Sequence, residues 1–475
     1  QGSRRGREST QDSLKRSVSN RITMAQRLSP IGYKEIIKLS SMAISQGSIN
    51  FKNVTIQSEK YVVVREDDKK KIAIVTTGAK RVKRLNNQGT PPIDQAIMNP
   101  SAEVVALRSG DGAGGTNLNI FSLQMRANMK SAKVAEKVVY WKWINAKTIA
   151  IVTPKSVYHW SLDGDGTPTK MFERSVEKPE SHWEGAVQII NYSESKDGQW
   201  LILGGLAKGK GGAGIVGVLQ VYSVKMKASQ PAMPSHAACF ARITLEGRSK
   251  PSNLICFTKA GPVLQILELD PPSKDQAFNK KVKLKFQQPD DFPVSIHCDD
   301  KFGTLFILTR KGYLLCVEIT TCKMFFANQT AKMIGSTLNT TDGGIATVDG
   351  TGRVGHFFIE QKNIVKFICE ALQDYDAGLK IATRYNLPGA DQYIEKQFNV
   401  LMNSGRYEEA MRMTATSPQG VLRTVQTLRQ FKQVPKINGQ PALLFYFNIL
   451  LGTSGATLNA IESIELAKPI LQSGK

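Results

Sequence analysis

Seven times between about residue 61 and residue 359 the sequence repeats one device: a short apolar or alternating run, a turn, and a second such run. The pairs are "YVVV" with "IAIV", "EVVAL" with "LNIFSL", "TIAIV" with "VYHWSL", "WLILGG" with "GVLQVYSV", "NLICF" with "VLQILEL", "TLFILT" with "YLLCVEI" and "GIATV" with "VGHFFI". Their first strands begin near residues 61, 103, 148, 200, 253, 304 and 344, a period of roughly 40 to 53 residues. A lone hairpin is barely stable in water, so hairpins at even spacing must stack on one another. Small sheets stacked around a channel leave only short, protected edges, and their repeats have this length. The spacing therefore predicts a seven-bladed β-propeller over residues 24–359, with the segment 28–58 helping to close the ring.

After residue 360 the period becomes helical. "NIVKFICEALQ", "DQYIEKQFNVLMNSG" and "VLRTVQTLRQF" place apolar residues three and four apart, with breaks at "NLPGA", Gly405 and "TSPQG". Short helices that cannot bury a face alone predict a stacked α-helical solenoid over residues 360–475. Residues 1–23 are polar and basic, and read as a disordered extension or an appended segment, with Met24 a plausible native start.

Composition narrows the function classes. The longest apolar run, "PALLFYFNILLG", is shorter than the roughly 18 residues of a membrane span, and no apolar leader is evident near the start. Six cysteines in 475 residues, none in a CxxC, fit buried thiols in a reducing compartment rather than a disulfide frame. His297 beside Cys298 has no second ligand cluster, so no metal is expected. The net charge of +23 predicts a polyanionic partner. With cations spread along the chain, only short runs such as "KKK" (69–71) and no nucleic-acid signature, an acidic protein is the favoured partner over nucleic acid.

Enzyme motifs fail on inspection. Gly204 to Lys210 fits G-x-x-x-x-G-K, but the next residue is glycine where a P-loop needs Ser or Thr, and a strand follows instead of a helix. "LGGLAKGKGGAGIVG" reads as a long flexible hairpin loop, and "GDGAGG" (110–115) as another. "DGDG" (163–166) is too short for a calcium loop. The five histidines are scattered. No catalytic residue, metal or cofactor is assigned.

"TNLNIFSLQMRANMK" (116–130) poses a sharper question. Leu118 and Ile120 share one face of the strand, and Asn117, Asn119 and Phe121 share the other, because side chains alternate. Arg126 and Lys130 follow. One reading is a half-covered surface aromatic. The other is a groove for an apolar peptide side chain with an acid held nearby.

A family resemblance bears on that choice. "AIMNP" (96–100), "YWKWI" (140–144), "VYHWS" (157–161), "QIINY" (188–192), "YSV…SQP…HAACF" (222–240), "NLPGA" and "GVLRTVQTLRQF" (420–431) resemble the clathrin heavy chain, in the family's order, from Met24 to the C-terminus. The resemblance implies the family's terminal domain, a seven-bladed propeller, followed by the first part of the helical leg linker. It implies a non-enzymatic vesicle-coat scaffold, cytoplasmic and peripheral on coated pits and vesicles. Membrane contact would be indirect, through adaptor proteins. Light-chain binding and trimerisation would belong to other parts of the family's chain.

The family's terminal domain takes leucine-rich, acidic adaptor motifs between blades one and two. The matching positions are Asn117, Asn119, Phe121, Arg126 and Asn128, with Val105 as an apolar wall. Asn128 stands where the family has a second lysine, and "QGTPPID" (88–94) offers no counterpart to an arginine and isoleucine upstream. Charge complementarity is therefore expected to be weaker, or supplied by Lys130. A second groove, for tryptophan-containing motifs at the channel top, matches at Phe51, Gln188, Ile190 and Leu206, the last two being equally readable as core. A third, between blades four and five, matches at Trp200, Val221 and Gln230, with Met226 and Ala228 replacing an expected arginine and valine. Alternatives are a propeller–solenoid subunit of another membrane coat or pore scaffold, and a basic RNA-binding propeller.

Overall fold

The two runs of each sequence pair become the two middle strands of an antiparallel sheet; among the described residues there are seven such sheets, six of four strands and one that adds a fifth, two-residue strand, Met233–Pro234. The computed structural model describes residues 28–66, 71–86, 92–164, 166–175, 182–246, 248–259, 261–453 and 457–472. The extension 1–23, most of the "KKK" run, the start of "QGTPPID" and Asp165 of "DGDG" lie outside the described residues. The middle strands are covered on both faces and so read as continuous apolar runs. Thr304–Thr309 is buried at every position. The first and fourth strands of each sheet are more polar, as in Arg81–Asn86, and carry no comparable signal in the sequence.

Apolar clusters between successive sheets show the ring. Blade 1 (Val54–Ser58, Tyr61–Arg65, Lys71–Thr76, Arg81–Asn86) meets blade 2 (Ile93–Met98, Val104–Gly110, Thr116–Ser122, Ala127–Val134) through Val63, Ile72, Ile74, Ala96, Met98, Val105 and Leu123. Blade 2 meets blade 3 (Tyr140–Trp143, Thr148–Val152, Ser156–Ser161, Thr169–Glu173) through Ile120, Trp141, Trp143 and Trp160. Similar clusters join blades 3 to 4, 4 to 5 and 5 to 6. The seventh sheet takes Met333–Leu338, Ile345–Asp349 and Arg353–Ile359 from the end of the region and its outer strand, Ile31–Lys38, from the beginning. Ile37 and Leu39 pack with Val62, Val64 and Val348, closing blade 7 onto blade 1.

The glycine-rich stretch differs from expectation. Strands Trp200–Gly209 and Ile215–Ser223 pair as far as Lys208 with Ile215, leaving a short connection rather than a long loop. Gly205 is required there: a Cβ would lie 2.5 Å from Val187 Cγ1 and 2.8 Å from the Gln188 carbonyl.

The described residues form two compact units, Gly32–Phe358 and one made mainly of residues from Ile359 onward. The second unit holds seven helices among its described residues: α1 (Gln361–Lys366), α2 (Tyr375–Tyr385), α3 (Asp391–Asn403), α4 (Tyr407–Ala415), α5 (Val425–Gln433), α6 (Ala442–Gly452) and α7 (Ala460–Gln472). Asn386 ends α2 in the left-handed conformation, and Gly405 follows α3 in the same region, as the break signals require. The apolar run "PALLFYFNILLG" forms α6, whose Tyr446, Phe447 and Leu450 are buried. Among the described residues no helix is long and apolar enough to cross a membrane.

Candidate functional site: the inter-blade grooves

Pairing in blade 2 sets which side chains share a face. Phe121 lies opposite Val105 on one neighbour and Asn128 on the other; Asn119 lies opposite Leu107 and Ser131; Asn117 lies opposite Ser109 and Lys133. These three rows face blade 1, because Phe121 and Leu107 pack on the cluster shared with that blade. Phe121 is half-buried, with its neighbours Leu118 and Ile120 sealed on the other face. Val105, expected as an apolar wall of the groove, is 0% exposed. It supports Phe121 from inside the core.

Ser131 Oγ lies 2.7 Å from the side-chain amides of both Asn119 and Asn128. Turned so that its nitrogen donates, Asn128 also reaches the carbonyls of Ile120 at 3.0 Å and Lys130 at 3.3 Å. It therefore staples a β-bulge, and its amide is committed to the protein. That bulge, between Ile120 and Phe121, decides the place of Lys130. Met129 is the extra residue, so Lys130 pairs with Ile120 and falls on the face toward blade 3. Its ammonium donates to the carbonyls of Ser161 (2.8 Å) and Gly164 (2.7 Å) and stands over the Trp160 ring. Lys130 thus does not supply charge beside Phe121, contrary to expectation.

Other cations do. In blade 1, Lys83 lies opposite Ile74, and Ile74 belongs to the blade 1–2 cluster, so Arg81 and Lys83 alternate onto the face toward blade 2. Lys83 reaches across and donates to the Leu123 carbonyl at 2.9 Å. Arg126 sits exposed in the turn after Phe121, in the left-handed region at φ 53°. Among the described residues none of Arg81, Lys83 and Arg126 has an ion-pair partner. The alternation in "RVKRLN" carried the signal for Arg81 and Lys83, which sequence reading passed over as dispersed charge.

The second set is brought together. Phe51, Gln188, Ile190 and Leu206 all line the central channel, a cavity of about 1040 Å³. Gln188 and Leu206 are cross-strand partners, and Phe51 is 57% exposed. Ile190 and Leu206 are half-buried, so neither is sealed core. The third set is only partly open. Trp200 and Val221 belong to the blade 4–5 cluster, but Val221 is buried, and the Trp200 indole donates to Asp270 at 2.9 Å. Gln230 is exposed, with its backbone N–H held by the Val221 carbonyl.

His297 and Cys298 alternate onto opposite faces. His297 Nε2 meets Ser295 (2.7 Å) and Ser336 (2.9 Å), whereas Cys298 lies in the apolar blade 5–6 cluster. Adjacent in sequence, they cannot share one metal ion.

Comparison with known proteins gives concordant matches. The chain is 36% identical over 460 residues to a probable clathrin heavy chain 1 of Caenorhabditis elegans, covering 94% of this chain and 26% of that one. It is 36% identical to the clathrin heavy chain of Drosophila melanogaster, with the same coverage, and 32% identical to that of Dictyostelium discoideum, again over 94% of this chain and 26% of that one. The family Clathrin-H-link matches residues 386–450, from the end of α2 into α6. The chain thus spans about a quarter of the length of the curated relatives it matches.

Proposed function

Because this chain belongs to the clathrin heavy chain family, we propose that it is part of a vesicle-coat scaffold whose propeller gathers adaptor proteins by their short linear motifs, with no catalytic step. One observation carries the reading: Phe121 is left half-covered on a face rimmed by Arg81, Lys83 and Arg126, which have no ion-pair partner among the described residues. An extended peptide laid between blades 1 and 2 covers that ring with a leucine-class side chain and sets its acid among the three cations. Acidic, leucine-rich motifs are the ligand class this favours. The channel, lined by exposed Phe51 and by the paired Gln188 and Leu206, suits a bulkier, tryptophan-bearing motif. Attachment to membranes is then indirect, through the adaptors, on the cytoplasmic side of coated pits and vesicles.

The test is a fluorescence titration with a peptide of the form leucine–apolar–x–apolar–acid. Phe121→Ala is expected to keep the parent melting behaviour and to weaken binding by about 1 to 3 kcal/mol, the scale of one buried apolar contact. Unaltered affinity in a folded variant would move the peptide elsewhere. Unfolding would make Phe121 a core residue.

A further inference from the structure

The central channel has a charge pattern that peptide recognition does not use. Among the residues lining it, Lys and Arg outnumber Asp and Glu by eight to three. Of these eight cations only Lys196, held by Asp300 at 2.6 Å, forms an ion pair among the described residues. Arg65 spends its guanidinium on the Asn53 side-chain oxygen, at 2.9 and 3.2 Å. Arg108 donates to the Val138 carbonyl at 3.0 Å, and it feels both the attraction of Asp94 and the repulsion of Arg65. Arg310 stacks over Phe292. Deeper along the wall, Lys142 of the inner strand of blade 3 has no partner among the described residues. Across from it stand His297, Ser295 and Ser336, linked to one another at 2.7 to 3.0 Å.

Burial lowers the pKa of Lys142, and burial together with the nearby Lys142 charge holds His297 down to about 3. The imidazole is therefore neutral, and the site pairs an ammonium with a ring nitrogen and two hydroxyls that can reorient. A cavity in which one sign of charge predominates focuses its field on whatever enters. A single carboxylate leaves most of that charge unanswered; a compact ion bearing several charges does not.

We propose that the channel is a binding site for a compact polyphosphate anion, held by Lys142 with the Ser295–His297–Ser336 cluster and drawn in by Arg65, Arg108, Lys137 and Arg310. The proposal does not rest on the Phe121 reading, and the tryptophan-bearing motif is assigned to other residues of the same channel, Phe51, Gln188 and Leu206.

The whole chain is titrated calorimetrically with inorganic tripolyphosphate. One saturable site is expected, weakening as salt rises. Lys142→Gln is expected to bind about tenfold more weakly, the scale of one charge-assisted hydrogen bond, and Lys142→Arg to retain binding. Lys281→Gln, on the exposed outer strand of blade 5 and outside the channel, is expected to match the parent. If Lys142→Gln melts early, Lys137→Gln at the channel wall is read instead, with the same expected direction. Absence of a saturable site overturns the proposal. So does equal loss in Lys281→Gln, which would mean diffuse surface attraction. Binding to vesicles carrying a polyphosphoinositide without binding to free tripolyphosphate would place the anion on the outer surface and also overturn it.

Discussion

Arg126 is a costly choice for its position. At φ 53° it occupies a region that side chains other than glycine enter at about 1 kcal/mol. Arg126→Gly should therefore raise the melting temperature slightly while weakening acidic-peptide binding by about 1 kcal/mol, and the loss should shrink with salt as an exposed ion pair's does. Lys130→Ala is the contrast: tied to Ser161 and Gly164, it should leave peptide affinity unchanged. Peptide titrations of the two variants at low and high salt, beside thermal melts, check both expectations. These two residues also mark what was legible. Phe121 could be placed because strand alternation needs nothing beyond the strand itself. Lys130 could not, because one extra residue in a bulge sends every later side chain to the other face, and no residue type announces a bulge. Arg81 and Lys83 were readable in principle, but only once the face of blade 1 that meets blade 2 was known.

At the scale of elements, the middle strands of the blades and helices α3 and α5 were visible in the pattern, whereas the inner and outer strands were not. Double burial writes a continuous apolar run, and a half-exposed strand of four to six residues does not rise above its surroundings. The strings that carry the family resemblance mostly hold elements together. Asn99 of "AIMNP" is fully buried and binds the Ala146 carbonyl at 2.7 Å, and Trp141, Trp143, Trp160 and Tyr192 are core. The helical unit has a comparable fixture that went unread, because its members lie far apart in sequence. Glu462 of α7, 0% exposed, receives Arg423 Nε at 2.9 Å and the Tyr446 hydroxyl at 2.6 Å. Burial alone would raise the Glu462 pKa, but the hydrogen bonds from Arg423 and Tyr446 outweigh it and hold the carboxylate below its usual range. The charged form is thus the one the fold favours. The stability it contributes is present above the unfolded value of about 4.3 and is lost as pH falls through the lower folded value. Urea unfolding followed by helix signal should show stability falling as pH drops below the unfolded value of about 4.3. Glu462→Ala should remove about 3 kcal/mol at neutral pH, because the half-buried Arg423 guanidinium and the buried Tyr446 hydroxyl both lose their acceptor. An unchanged midpoint in that variant would mean the pair contributes nothing net.

For the whole molecule the decisive junction is the seventh blade, assembled from Ile31–Lys38 and three strands that end at Ile359. Deleting the chain through Lys38 should cost at least about 3 kcal/mol, since Ile31 and Ile37 each lose a buried side chain. It should also lower the melting temperature of the entire propeller in one transition, as differential scanning calorimetry would register; a separate early transition confined to one blade would refute a cooperative ring. The same junction bears on the order of events at the ribosome. The bond from Gln46 to the Gly350 carbonyl joins residues 304 apart. At about 5 to 20 residues per second, roughly 15 to 60 s of translation separate the two partners. Through that interval the first strand stays an unmatched edge while six blades accumulate behind it, and chaperones have their longest opportunity to hold it.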